Sequence, residues 1–383
     1  MRMLIIDDEE DICDLIAEIG THRGLDVRTI SNTENVLGTL SEFTPDFIML
    51  DLMMPNTDGV ELLRLLAEHV KAAKLCLMSG SDSRVLNSAR RLGSAHGLNV
   101  VAALEKPLNM SVLGSLFDQI TAGAQDEVGV DMAQAIASGQ FTLHYQPVIH
   151  IKTHEVKGAE ALARWTHPHR GTLSPDAFLE QVVNDGLMQA LTDVVVQTSM
   201  LQAAKWHSAG ENLTLSMNVT ASTLLDLSLP DKISELCKQH GVPSNKLILE
   251  VTETEAMRDV TRTMDVLLRM RIRNIGVSID DFGTGHSSLR ELQRMPFSEM
   301  KIDKSFVSSM ADNKDCAAIV YSVIELARNL GLKAIAEGVE DIRTWRMLEE
   351  KGCDYAQGYF MGKPMPANEF DLWLKNWRTK PIA

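Results

Sequence analysis

Seven polar residues stand at or near the ends of short apolar runs: Glu160, Asn218, Glu250, Asp280, Asp281, Lys301 and Glu337. The runs cover 158–165, 213–219, 247–253, 276–282, 299–303 and 333–339, and read as buried strands. Five carboxylates, one amide and one amine reach a common mouth only if those strands close into a parallel barrel. Acids crowded into one pocket cannot all stay ionised unless something positive neutralises them. Oxygen donors of this kind suit a pair of divalent cations, Mg²⁺ or Mn²⁺. The spacing is consistent with one shared face. Asn218 to Glu250 is 32 residues, Glu250 to Asp280 is 30 and Asp280 to Lys301 is 21, each about one βα unit. Taken singly, Glu250, Asp280 and Glu337 are strand-end ion pairs with Lys301 as a structural partner, and Asn218 is a satisfied barrel amide; all seven together favour a site.

A second constellation lies nearer the N-terminus. Asp7 and Asp8 close the first apolar run, Asp51 the third and Ser79 the fourth, and Lys106 follows the fifth. Asp8 and Asp51 could share one Mg²⁺, which keeps Asp51 ionised as a nucleophile towards phosphorus, while Lys106 neutralises incoming phosphoryl oxygens. Pro107 fixes the loop after Lys106, and Asp58-Gly59 closes the turn after Met54-Pro55. Singly, Asp7 and Asp8 would be helix caps and Lys106 a surface residue. Their order at successive strand ends argues otherwise.

The elements that must position these groups fall into two sets, as 383 residues would suggest. Residues 1–122 alternate five apolar runs with helical patterns such as Ile12, Leu15, Ile16 and Ile19, which predicts a doubly wound, flavodoxin-like parallel sheet. Residues 123–130 are small, polar and acidic and read as a linker. From 131 to 383 a short helix over 131–138, ended by Gly139, leads into a strand at 141–149 and then about eight strand–helix alternations, the size of one TIM-like (β/α)8 barrel. The fold class is therefore α/β throughout.

Composition narrows the function. Residues 1–122 carry 18 acidic and 10 basic side chains, and the remainder 34 and 27. Both parts are acidic, which argues against DNA binding through a basic face. An anionic substrate would need local cations: bound metal, Arg164 and Lys301. Five scattered cysteines with no C-x-x-C pair argue for a reducing cytoplasm and against a disulfide framework or a zinc site. No run approaches 18 apolar residues and Met1 leads straight into a strand, so neither a membrane span nor a signal peptide is expected. The D-F-G tripeptide at Asp281–Gly283 is no kinase signature, because a glycine-rich phosphate loop and an H-R-D-type loop are missing. The tract His167-Pro168-His169 reads as a turn, and the methionines as core filler.

The N-terminal stretches IIDDEE, DFIMLDLMMPNTDG, MSG and EKP resemble the receiver domain of bacterial response regulators, over residues 1–120. The resemblance implies Asp51 as phosphoacceptor, Asp7 and Asp8 as the acidic pair holding one Mg²⁺ or Mn²⁺ with Asp51, Ser79 as switch hydroxyl and Lys106 as phosphate-sensing lysine. A sensor histidine kinase would be the phosphodonor. Receivers usually carry an aromatic residue three before the lysine; here that position is Ala103.

From 131 to about 376 the chain resembles the EAL family of cyclic di-GMP phosphodiesterases. The carriers are EALARW (160–165), SMNVTAS (216–222), LEVTE (249–253), DDFGTGHSSL (280–289), KID (301–303), AEGVE (336–340), YQP (145–147) and QGYFMGKPMP (357–366). The resemblance implies that Glu160, Asn218, Glu250 and Asp280 hold one metal, with Asp280 bridging to a second held by Asp281 and Glu337. Glu337 is either that ligand or a general base. Lys301 orients the attacking water or balances developing charge. Gln146, Leu162, Arg164 and Gln357 are implied substrate contacts, and Glu253 anchors the loop after Asp281. His286 stands where the family usually has tyrosine. The expected activity is two-metal hydrolysis of cyclic di-GMP to linear pGpG, modulated by phosphorylation of Asp51, in a homo-oligomer. No GGDEF-type cyclase motif is present. The rival is a non-catalytic cyclic di-GMP receptor or a protein-docking output module.

Overall fold

In a computed structural model, the chain forms two compact units, Met1–Val130 and Asp131–Ala383. The residues described are 1–32, 36–54, 57–70, 73–80, 83–108, 110–122, 131–283 and 289–379. The linker expected at 123–130 lies outside them, as do Pro55, Thr284, Gly285 and His286.

The first unit is built on strands β1 (Arg2–Ile6), β2 (Asp26–Ile30) and β3 (Phe47–Asp51), a two-stranded ribbon of β4 (Met53–Met54) and β5 (Thr57–Asp58), then β6 (Lys74–Ser79) and β7 (Asn99–Glu105). The main sheet is parallel in the order β2-β1-β3-β6-β7, the flavodoxin-like winding expected. Its strands read as unbroken apolar runs because both faces are covered. Leu4, Ile6, Ile48, Leu50, Leu75 and Leu77 pack in one core. The alternate residues Met3, Ile5, Phe47, Met49, Cys76 and Met78 pack in the other. Strand order reverses between β1 and β3, so their carboxyl ends flank the crevice where ligands bind in such sheets.

The second unit opens with the helix Met132–Ala137, capped by the Asp131 side chain on the Gln134 amide. It continues through β8 (Phe141–His150), β9 (Val156–His167), β10 (Gly171–Leu173), β11 (Thr214–Asn218), β12 (Leu247–Thr252), β13 (Gly276–Phe282), β14 (Glu299–Ile302), β15 (Lys333–Ala336) and β16 (Tyr355–Gln357). Apart from β10, which pairs on the flank of β9, these strands close into an eight-stranded barrel in which β16 meets β8. The barrel is not wholly parallel, and this corrects the sequence-based expectation. β8 runs antiparallel to both neighbours, β9 and β16. Only residues 151–155 join β8 to β9, too few for a crossover helix, so the pair must be a hairpin.

Two local features set the mouth. The β13–β14 register shifts between Ile279 and Phe282, and inside that bulge Asp281 takes a left-handed φ of 53°. A regular strand would aim Asp280 and Asp281 at opposite faces; a bulge re-aims one of them. The second feature is a close approach after β16. A Cβ on Gly358 would lie 2.1 Å from the Val339 carbonyl oxygen, while the Val339 amide donates to the Gln357 carbonyl at 3.1 Å. Only glycine fits between the ends of β15 and β16. Gly358→Ala is therefore expected to push the Glu337–Val339 segment off its seat, cost about 1–3 kcal/mol, and lower the melting temperature of the barrel. An unchanged calorimetric melt would show that the contact is not needed.

Candidate active site

The strand pattern delivers the expected residues to the carboxyl ends of the barrel strands, the end where such barrels carry their sites. Glu160 lies on β9, and Asn218 is the last residue of β11, directly opposite Glu250 on β12. Gln146 on the antiparallel β8 sits opposite Glu160. Asp280 ends the regular part of β13, Lys301 lies on β14, Glu337 follows β15 and Gln357 ends β16.

At the centre is the Lys301 ammonium, on a side chain that is almost wholly buried. It lies 3.2 Å from Glu160 Oε2, 2.8 Å from Glu250 Oε2, 3.2 Å from Asp280 Oδ1 and 2.7 Å from Glu337 Oε1. Glu160 has the best support. Asn218 Nδ2 donates to its Oε1 at 2.8 Å and Gln357 Nε2 to its Oε2 at 2.6 Å. Burial works against its charge, but Lys301 and these two amides outweigh it and hold its pKa below the usual glutamate range. Glu250 goes the other way: burial, then the Glu160 charge, push it well up. Burial raises Glu337 to about 8 despite Lys301. Burial and the neighbouring Asp280 charge raise Asp281 to about 6. One lysine does not neutralise five acids, and the deficit of positive charge falls on these three carboxyls.

That deficit, and the donor chemistry, fit divalent cations. Oxygens of Glu160, Glu250 and Asp280 all lie within 4.8 Å of one another, and so do oxygens of Asp280, Asp281 and Glu337. Asp280 belongs to both groups, which suits the bridge implied by the resemblance. The Gln357 Oε1 is a buried acceptor with no hydrogen-bond partner among the described residues. The β13 bulge is what brings Asp281 into the second group. Its loop is held from the helical turn after β12, where Glu253 Oε2 accepts from the Gly283 amide at 3.2 Å; Gly283 itself has φ 103°.

The remaining expected contacts are arranged around this core. Leu162 and Arg164 follow Glu160 at two-residue steps on β9 and so share its face. Arg164 is partly buried and donates to the Ala163 carbonyl at 2.8 Å. Gln146 accepts from Gln357 Nε2 at 3.1 Å. Leu162 and Asn218 also line a side cavity of about 310 Å³. The sequence reading passed over Asp303. It is buried and shares a side-chain hydrogen bond with Asp281, which adds to the rise in the latter's pKa. Its signal was present as the last letter of the KID stretch, two residues after Lys301. The tract at 167–169 is a turn: His167 Nδ1 accepts from the amides of His169 and Arg170 at 3.1 Å each.

The first unit gathers its own acids. Asp7 and Asp51 are buried, and oxygens of Asp7, Asp8 and Asp51 lie within 4.8 Å of one another. Lys106 Nζ sits 2.6 Å from Asp51 Oδ2, 2.9 Å from Asp7 Oδ2 and 2.8 Å from Glu9 Oε1. Burial pushes the Asp7 carboxyl up, although Lys106 opposes this. The three carboxylates raise Lys106 against its own burial, keeping it charged. Ser79 ends β6 fully buried. Ala103 packs against the core formed by Leu4 and its neighbours, with no ring to move. The Lys106-Pro107 peptide is cis.

A model of the EAL domain matches residues 130–364. The chain belongs to the EAL domain family. A model of the response regulator receiver domain matches residues 3–117, so the first unit is a receiver domain. The cyclic di-GMP phosphodiesterase RocR of Pseudomonas aeruginosa is 32% identical over 85% of this chain and 86% of its own length. The cyclic di-GMP phosphodiesterase PA2567 of the same organism is 36% identical over 86% of this chain and 60% of its length. A solved structure of the PaMucR phosphodiesterase in complex with c-di-GMP is 38% identical, covers 63% of this chain and 98% of its own, and superposes with a TM-score of 0.61. The chain thus spans most of RocR but less than two thirds of PA2567. No helix among the described residues is long and apolar enough to cross a membrane.

Replacing Lys301 by methionine leaves the buried carboxylates around it without their shared ammonium. The expected outcome is a loss of about 3–5 kcal/mol in EDTA, read as a lower melting temperature of the barrel. An unchanged melt would mean that the acids do not depend on Lys301.

Proposed function

We propose that this chain is a response regulator whose EAL barrel hydrolyses cyclic di-GMP to linear pGpG with two divalent cations, under the control of Asp51. The observation that carries this reading is the pair of three-acid groups sharing Asp280 at the barrel mouth. The names of RocR and PA2567 support the substrate and the reaction.

Glu160, Asn218, Glu250 and Asp280 would hold one Mg²⁺ or Mn²⁺, and Asp280, Asp281 and Glu337 the other. When bound, the cations supply a water of lowered pKa and offset the charge of the phosphodiester. The protein's own residues then do the positioning. Gln357, Gln146 and Asn218 fix the Glu160 carboxylate, and Arg164 and Leu162 meet the substrate along β9. Lys301 orients the water and balances charge as one P–O bond of the ring breaks and the water oxygen takes its place. For Glu337, closeness to Asp280 and Asp281 favours the ligand role over that of base. In the receiver, Asp8 and Asp51 would share one cation, Asp51 would accept a phosphoryl group from a sensor histidine kinase, and Lys106 and Ser79 would meet its oxygens. With Ala103 in place of a ring, the response does not run through an aromatic relay.

Purified protein with cyclic di-GMP and Mg²⁺ or Mn²⁺ should form pGpG, followed by chromatography. Glu160→Ala should abolish it. Tight binding without turnover in the wild type would make the chain a receptor instead. For control through the receiver, beryllofluoride should change the pGpG rate of the wild type and leave Asp51→Asn unaffected. Equal rates with and without it would leave Asp51 without a regulatory role.

A further inference from the structure

The one-turn helix Glu253–Ala256, which follows β12, carries two carboxylates that reach in opposite directions. Glu253 takes the Gly283 amide of the β13 loop. Glu255 turns to the other neighbour: its Oε1 accepts from the Ala221 amide at 3.0 Å, at the start of the short helix that follows β11. Its Oε2 accepts from Thr252 Oγ1 at 2.9 Å. Thr252 in turn caps the same helix by accepting from the Glu255 amide at 3.3 Å. The Glu255 side chain is therefore fixed at both oxygens and cannot swing away from Ala221 without disturbing its own cap. On the β11 side, Thr220 caps the helix Ala221–Leu224, and the Val219 amide donates to the Glu250 carbonyl. Every residue from Asn218 to Ala221 is thus adjacent to a bond to β12 or to a cap.

We infer that Glu255 is a positioning residue for the cation site: it ties the β11 loop to the turn after β12 and so sets the separation between Asn218 and Glu250. Glu253 and Glu255 together make that turn a clamp on both flanking strands, with Glu255 serving the β11 side from beyond the strand ladder. A charged acceptor on a backbone N–H is the stronger kind of hydrogen bond, and partners outside the ligand set commonly change metal affinity by about 10–100-fold. The inference rests on the reading of the mouth as a cation site.

The test is Mn²⁺ binding to the full chain, measured by calorimetry without substrate, alongside pGpG formation at varied Mn²⁺. Glu255→Ala should weaken Mn²⁺ binding at the barrel by about tenfold or more and raise the Mn²⁺ needed for half-maximal rate, with kcat at saturating Mn²⁺ close to wild type. Glu255→Gln, which keeps one acceptor, should fall between the two. Ala221→Pro breaks the same bond from the other side at the first position of a helix, where proline is tolerated, and should reproduce the loss even if Glu255→Ala does not fold. Wild-type affinity in Ala221→Pro, or in a folded Glu255→Ala, overturns the inference. Absence of Mn²⁺ binding at the barrel of the wild type would instead overturn the cation-site reading on which it rests.

Discussion

The barrel is organised around a charge that it cannot shed. Lys301 is buried within 3.2 Å of four carboxylates, and removing either sign would strand the other in a medium of low dielectric. The rest of the unit answers to this. Strand ends must meet at one mouth so that the acids can surround the ammonium. The amides of Asn218 and Gln357 must be present because Glu160 needs more than one shared lysine to stay ionised. Burial, with neighbouring acid charge, pushes Glu250 and Glu337 up in spite of the lysine they share. Their excess negative charge is what the proposed divalent cations would offset, so the imbalance that shapes the fold is also the one on which the proposed chemistry rests.

The receiver applies the same logic on a smaller scale. Lys106 is held by Asp7, Glu9 and Asp51, and the strand-order reversal that gathers these ends is a property of the sheet rather than of any one residue. A phosphoryl group arriving at Asp51 would bring its oxygens to the lysine that Asp51 now engages at 2.6 Å.

Much of this was legible in the sequence, for a physical reason. Parallel strands buried on both faces are largely apolar, so a charged or amide side chain within or near the end of such a run stands out; Glu160, Asn218, Glu250, Asp280 and Lys301 could be read that way. What stayed hidden depends on direction and side-chain reach. The antiparallel β8 looks like any other strand until the short connection over 151–155 is weighed. Asp281 stood among the strand-end acids, but its place in the cation set came from the resemblance, since strict alternation would have turned it away. Asp303 and Glu255 escaped because their roles lie in hydrogen bonds to Asp281 and Ala221, and no periodicity encodes those.

The bulge in β13 has a consequence for how such a mouth can change. Glu160, Glu250 and Asp280 hang from the hydrogen-bonded ladder, so moving one of them means re-registering a stave of the barrel. Asp281 sits in the bulge between two ladder-paired residues, Ile279 and Phe282, where a left-handed φ of 53° rather than the pleat sets its direction. The acids are thus mounted in two different ways. One mounting is a stave of the barrel; the other is a bend within a stave, pinned on its far side where Glu253 takes the Gly283 amide.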